Sequence, residues 1–191
     1  MRALATWSGA ITGLLLILVG SLIQAAVPLP SAGSVAIQPL PATLQVPALL
    51  LTALVCGHRA AMLAAVAYLS LGILQLPVFH TGGGASYLLD PAFGYLAGFV
   101  PAAWLTGRLG RQRGMNNPLN LTAAAIVGLL VLQVCGVLNL LLGALAGRWE
   151  RSLGVLVMSY SLVPLLSQLL LCCAVGLLAW PLRRLLLLED E

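Results

Sequence analysis

Uncharged polar side chains inside long apolar segments are the residues of this chain best suited to recognise a small molecule. The amides of Gln45, Asn139 and Gln168 lie within such segments, where an unpaired polar group is costly and marks a candidate site. An amide both donates and accepts hydrogen bonds, so these residues predict binding of a polar, uncharged group. For Asn139 and Gln168 the alternative is a hydrogen bond between helices, and helix packing is the expected role of Gln133.

Three tyrosines and one aspartate flank the same segments. Tyr87, Tyr95 and Tyr160 fall near the predicted membrane interface, where a tyrosine either contacts a ligand or belongs to an aromatic belt. Asp90 directly precedes Pro91 and therefore either caps the following helix or accepts a hydrogen bond from a ligand.

Several kinds of chemistry are excluded by missing residue types. The chain has no lysine, because its nine basic residues are all arginine, so it has no Walker A loop, no Schiff-base lysine and no Ser–Lys dyad. His58 and His80 are isolated in different predicted loops, which argues against a shared metal site. The sequence therefore predicts a protein that is not an enzyme and that uses neither a metal nor a cofactor.

Composition identifies the class of protein. Of the 191 residues, 61% are hydrophobic and 7% are charged, against roughly 25% charged residues in an average soluble domain. The net charge of +4 comes from arginines scattered between apolar runs, whereas a nucleic-acid-binding face would cluster them on an exposed surface. The chain is predicted to be a membrane protein that does not bind nucleic acid.

Six apolar segments approach or exceed the length of about 20 residues that a bilayer requires. They comprise residues 7–27, 42–56, 60–76, 91–107, 119–146 and 153–185. The predicted fold is an all-α bundle of six transmembrane helices, forming one domain over residues 1–191. This topology gives seven arginines to the side of the termini and two to the other, so the positive-inside rule predicts cytoplasmic termini.

Two uncharged connections are predicted on the outer side. Residues 27–41 are rich in proline, which suggests a stiff lid over something apolar, although a plain connector is the alternative. Residues 77–90 contain three consecutive glycines, and Gly83 and Gly84 are candidates because glycine backbone approaches a ligand closely and adopts positive φ. Together these connections predict a pocket that opens outward.

Small residues in the first helix suggest a docking face. Gly9 and Gly13 are four residues apart, with Ser8 and Thr12 beside them. Small residues at this spacing let another helix approach closely. The pair predicts contact with a membrane partner.

The chain resembles the BioY family, the biotin-binding S components of energy-coupling factor (ECF) transporters. The resemblance runs through residues 40–45, 57–71 and above all 76–99, where the glycine run, Tyr87, Pro91, Gly94-Tyr95-Leu96 and Gly98-Phe99 follow the family's spacing. The tail, residues 160–185, is similar to the form common in cyanobacteria. This resemblance implies a multi-pass protein of the inner (plasma) membrane. It implies that biotin is captured outside and passed across with a transmembrane coupling subunit and two cytoplasmic ATPases.

One departure from the family concerns the substrate site. Many members carry an acid and a lysine in the last helix, where this chain has Gln168 and Leu171. Losing both partners of a buried pair leaves no stranded charge, and Gln168 can still serve a ureido group. The carboxylate of biotin then has two candidate partners, the backbone of Gly82–Gly84 or an arginine at the outer rim, Arg148 or Arg151.

The resemblance implies a set of site residues and leaves rival functions open. The expected substrate-binding residues are Gln45, Gly83, Gly84, Tyr87, Asp90, Tyr95, Asn139, Tyr160 and Gln168. The first rivals are an S component for another small vitamin and a biotin transporter that works alone. The remaining rivals are a membrane enzyme and a structural helix bundle, which predict no saturable small ligand.

Overall fold

Helices dominate the computed structural model, which describes residues 2–31, 34–74, 78–79 and 82–186. The end of the third predicted span, at residues 75–76, and His80 lie outside the described residues. The elements, in chain order, are α1 (Arg2–Leu22), β1 (Gln24–Ser31), β2 (Ser34–Thr43), α2 (Gln45–Cys56), α3 (His58–Ile73), α4 (Phe93–Ala97), α5 (Phe99–Leu109), α6 (Pro118–Leu145), α7 (Leu153–Val157) and α8 (Val163–Leu185). A 3-10 turn occupies Ala85–Leu89, and a π-helical segment occupies Met158–Leu162.

A β-hairpin interrupts the predicted all-α fold. The first predicted span was extended to Val27, but α1 ends at Leu22 and β1 pairs antiparallel with β2. Proline has no N–H for a strand ladder and is confined to edge strands, and both strands of a two-stranded hairpin are edges. The prolines within β1 and β2 are therefore compatible with the hairpin, so the expectation of a purely helical fold was wrong at this point.

Among the described residues, three helices are long and apolar enough to cross a membrane, judged by length and composition. They are Ala3–Leu22, Pro118–Leu145 and Leu153–Leu185, while Gln45–Cys56 and His58–Ile73 are shorter apolar helices. The predicted span 91–107 corresponds to α4 and α5, which are separated only at Gly98. The hydrogen bonds from Gly98 N–H to Gly94 and from Ala102 N–H to Gly98 continue the helical path through this break.

The last long helix contains a widened turn. The N–H of Val163 donates to the carbonyl of Met158, five residues earlier, within the π-helical segment Met158–Leu162. Pro164 follows directly and has no N–H to donate to an earlier carbonyl. The helix therefore continues through Pro164 after a π bulge one turn earlier.

The small residues of α1 pack inside the chain. A Cβ added to Gly9 would lie 2.9 Å from the Cβ of Cys56, and one added to Gly13 would collide with Thr52. Both glycines are buried against α2 and α3. Their spacing correctly indicated a close helix approach, but the approaching helices belong to this chain, so the assignment of Gly9 and Gly13 to an external docking face was wrong.

The bundle has two chemically different ends. We call one the arginine end, where Arg111 donates to the carbonyl of Cys56 and Arg183 donates to that of Gly110. We call the other the hairpin end, which holds β1, β2 and the connection between α6 and α7. α1, α3 and α6 join the two ends, and β2 reaches across to pack against α8.

Candidate functional site

A pair of glutamines joins α6 to α8 in the middle of the bundle. The Nε2 of Gln133 donates to the Oε1 of Gln168 over 2.9 Å. Gln168 was predicted from the sequence either to contact a ligand or to bridge helices, and the structure shows the bridge. Gln133 was expected only to pack, yet its Oε1 is buried without a hydrogen-bond partner among the described residues. The pair thus presents an unused acceptor.

Gln45 contributes an unused donor. It is the first residue of α2, directly after the hairpin, and its side chain is 7% exposed. Its Nε2 is likewise buried without a partner in the described part of the chain. A buried polar atom with no partner costs about 1–3 kcal/mol, so a native protein that keeps one usually has a functional reason for it.

The unused donor and the unused acceptor lie at similar depth. α2 and α6 touch where Leu50 Cδ2 lies 2.7 Å from the position of a Cβ on Gly128. α2 runs away from the hairpin end and α6 runs toward it. Gln45 lies five residues before Leu50, and Gln133 lies five residues after Gly128, so each is displaced by about 7.5 Å in the same direction. Both amides therefore lie at one level below the hairpin.

Tyr95 fits into a gap left by a glycine. Its ring occupies the place that a Cβ on Gly136 would take. Its hydroxyl shares a hydrogen bond of 2.5 Å with the Oγ of Ser161, and its ring stacks on that of Tyr160 at 6.3 Å. Tyr95 therefore ties α4 and α6 to the π-helical segment, where the widened turn places Ser161 and Tyr160.

Asn139 and Asp90 fix the start of α4. Asn139 donates through Nδ2 to the carbonyl of Pro91 over 3.2 Å, and Gly94 leaves room for its Cβ. Asp90 accepts the N–H of Ala92 over 2.8 Å in the turn that leads into α4, whose N-cap position is Ala92 itself. Both side chains shape the wall of the site through backbone contacts.

The glycine run forms a tight turn. Gly82 and Gly84 have φ of 131° and 105°, as the predicted freedom of glycine allows. Gly82 N–H donates to Phe79, and Gly84 N–H donates to the carbonyl of Gly72 over 2.7 Å. Two of the three N–H groups in the run are thus already used within the protein, while Gly83 lies half-buried between them.

Tyr87 belongs to an aromatic cluster beside this turn. Its ring lies 4.7 Å from that of Phe79, which in turn contacts the ring of Tyr68 at 5.5 Å. Tyr68 donates its hydroxyl to the carbonyl of Val78 over 2.8 Å. The cluster therefore holds the glycine turn against α3 and gives the site an apolar wall.

A stripe on α6 connects these features. Gln133, Gly136 and Asn139 follow one another at intervals of three residues, so they share one side of the helix. Gln133 was not included among the candidate site residues, although its spacing from Asn139 was visible in the sequence. Ser161 was also missed, because nothing local marks the partner of Tyr95.

The comparisons with known proteins relate this chain to BioY proteins. A model of the BioY family matches residues 2–187. A probable biotin transporter BioY of Lysinibacillus sphaericus is 34% identical over 98 residues, 51% of this chain and 50% of that protein. The biotin transporter BioY of Thermotoga maritima is 41% identical over 81 residues, 42% of this chain and 48% of that protein. The chain thus spans about half the length of these curated relatives.

A solved structure shares the fold. The S-component for biotin from an ECF-type ABC transporter superposes with a TM-score of 0.71, covering 96% of this chain and 92% of that one. The sequences are 18% identical. At this identity the likeness concerns the arrangement of the helices.

Proposed function

The chain belongs to the BioY family, and we propose that it is a membrane subunit that captures biotin outside the cell for uptake. The observation that carries the proposal is the unused donor of Gln45 and the unused acceptor of Gln133, buried at one level below the hairpin. A ureido ring offers a carbonyl and N–H groups side by side. Bound between the two amides, it supplies the hydrogen bonds that both lack.

The remaining parts of biotin also have counterparts in the site. The apolar ring of biotin packs against the cluster of Tyr87 and Phe79, and its acyl chain follows the stripe of α6 toward Asn139. The hairpin covers the site as a lid, since β2 leads directly into Gln45 and packs against α8. In this arrangement Gly83, Gly84, Asp90 and Tyr160 shape the rim.

In the membrane, we propose six spans with both termini in the cytoplasm of a cell whose inner (plasma) membrane holds the protein. The arginine end then faces the cytoplasm, in agreement with the positive-inside rule, and the hairpin end faces outward. The fourth span counts α4 and α5 together, because their helical path continues through Gly98.

ATP-driven transport requires partners, because the chain has no lysine for a P-loop. We propose a transmembrane coupling subunit and two cytoplasmic ATPases, the module that an ECF-type transporter supplies. Gly9 and Gly13 are buried within the bundle, whereas Ser8 and Thr12 beside them are exposed on α1. The docking face on α1 is therefore assigned to Ser8 and Thr12.

Leucine at both Ser8 and Thr12 is expected to lower recovery of the complex with the coupling subunit by about tenfold, or roughly 1.4 kcal/mol. The reason is that two large side chains hold a partner helix away from the backbone of α1. Co-purification with the partner module measures this, alongside biotin titration of the lone subunit, which should be unchanged. Ala123→Leu places the same bulk on an exposed position of α6 and serves as the control; equal loss of complex with it would refute this face.

The proposed function is tested by titrating the purified protein with biotin and with a panel of other small vitamins. Saturable binding of biotin in preference to the panel supports the proposal. Tighter binding of another vitamin would make the chain a different S component. Uptake into vesicles by the lone protein without ATP would instead indicate solitary transport. Absence of saturable binding for every compound tested would favour a membrane enzyme or a structural helix bundle.

A further inference from the structure

An open cavity of about 280 Å³ lies at the hairpin end, just beyond the proposed biotin site. Its lining includes Pro91, Arg148, Trp149, Glu150, Arg151 and Tyr160. Two guanidinium groups and one carboxylate give this lining a net charge of +1. The net positive charge of the cavity favours an anionic group of a ligand.

The backbone that carries the arginines is rigidly built. Gly147 has φ of 64°, its N–H donates to Ala144, and Arg148 N–H donates to Gly143 over 2.9 Å. These bonds form a Schellman motif that ends α6. Trp149 then donates its indole N–H to the carbonyl of Leu140 over 2.8 Å and packs over Gly143. Arg148 and Trp149 are therefore held at the end of α6, and Arg151 follows two residues later.

Two residues in the lining of the cavity contact residues of the proposed site. Tyr160 in its wall stacks on Tyr95, and the carbonyl of Pro91 in its lining accepts the hydrogen bond of Asn139. From Gln133 to Gly143 the helix rises by about 15 Å. A ligand with its polar ring at Gln133 and its chain along this stripe points its far end into the cavity.

We propose that Arg148 and Arg151 bind the carboxylate of the ligand. This inference rests on the proposed function and decides between the two partners that the sequence left open. The glycine run is the weaker candidate because Gly82 and Gly84 already donate within the protein. Guanidinium groups match a carboxylate in charge and geometry, and Glu150 in the same lining opposes an anion.

The test compares biotin with its neutral carboxamide on purified protein. Replacing both Arg148 and Arg151 with glutamine should weaken biotin binding by about tenfold, since the carboxylate then loses its charged hydrogen-bond donors at a solvent-screened site. Binding of the carboxamide should be unchanged. Glu150→Gln should shift biotin affinity in the opposite direction, because it removes a repelling charge. Arg113→Gln, an exposed arginine at the other end, is the control and should change neither ligand.

Three results would overturn the inference. Unchanged biotin affinity in the double variant would remove both arginines from the site. Equal losses for biotin and its carboxamide would show that the arginines only support the fold. Equal affinity of the unaltered protein for biotin and for its carboxamide would refute the assignment of Arg148 and Arg151 alone. If the unaltered protein bound neither ligand, the proposed function itself would be wrong.

Discussion

Replacing Gln168 with leucine is expected to weaken biotin binding by about 5- to 150-fold, or roughly 1–3 kcal/mol. Gln168 holds the Gln133 amide through the hydrogen bond of 2.9 Å between α6 and α8. Without that bond the Gln133 amide is free to rotate, so its Oε1 is no longer held toward the ligand. The substitution also leaves the Nε2 of Gln133 without its partner. Isothermal titration of the purified variant measures the loss.

The two glutamines should act as one unit. A double variant with leucine at both Gln133 and Gln168 should therefore bind biotin no more weakly than the worse of the two single variants. Gln112→Leu changes an exposed glutamine at the arginine end and should leave affinity unaltered. Strictly additive losses would show that the residues act independently, and unchanged affinity in the Gln168 variant would remove the pair from the site.

The pair also shows where sequence reasoning stops. For Asp90 the sequence offered a local role beside a ligand contact, and its hydrogen bond to the N–H of Ala92, two residues away, is such a local contact. Gln133 and Gln168 are 35 residues apart, and only the packing of α6 on α8 brings them together. Each amide was visible as a costly polar group in an apolar segment, but the choice of partner depends on helix rotation, which no local pattern determines.

The same limit explains the errors in α1 and the hairpin. The spacing of Gly9 and Gly13 indicated a close approach but not which helix approaches, and α2 and α3 of this chain fill the space. The prolines of residues 27–41 predicted a stiff connection, although α1 already ends at Leu22, before the first of them. They did not reveal strand pairing, because alternation is weak in an uncharged, largely apolar segment. Short-range signals therefore indicated a close helix approach and a stiff connection, but they did not determine the end of α1 or the partners of its glycines.

Alanine at Gly136 is expected to damage both stability and binding. The Tyr95 ring occupies the space that the new Cβ needs, so the ring must move or the helices must separate. Overpacking of this kind costs about 1–3 kcal/mol. Moving the ring also breaks its hydrogen bond with Ser161 and its stacking on Tyr160, which displaces the wall of the proposed site. Thermal unfolding in detergent and biotin titration should both register the change, with affinity lowered about tenfold or more.

A matched control and a double variant isolate the cause. Gly154→Ala makes the same substitution in α7, where an added Cβ meets nothing within 4 Å, and it should leave stability and biotin affinity close to their original values.

If the collision with Tyr95 is responsible, Gly136→Ala should cost little further stability once Tyr95 has been replaced by alanine, because the obstructing ring is gone. Biotin binding should stay weak in that double variant, since Tyr95 no longer joins α4 to the π-helical segment. An undiminished cost of Gly136→Ala without the ring would place the conflict elsewhere in α6, and full biotin affinity in the double variant would exclude Tyr95 from the site.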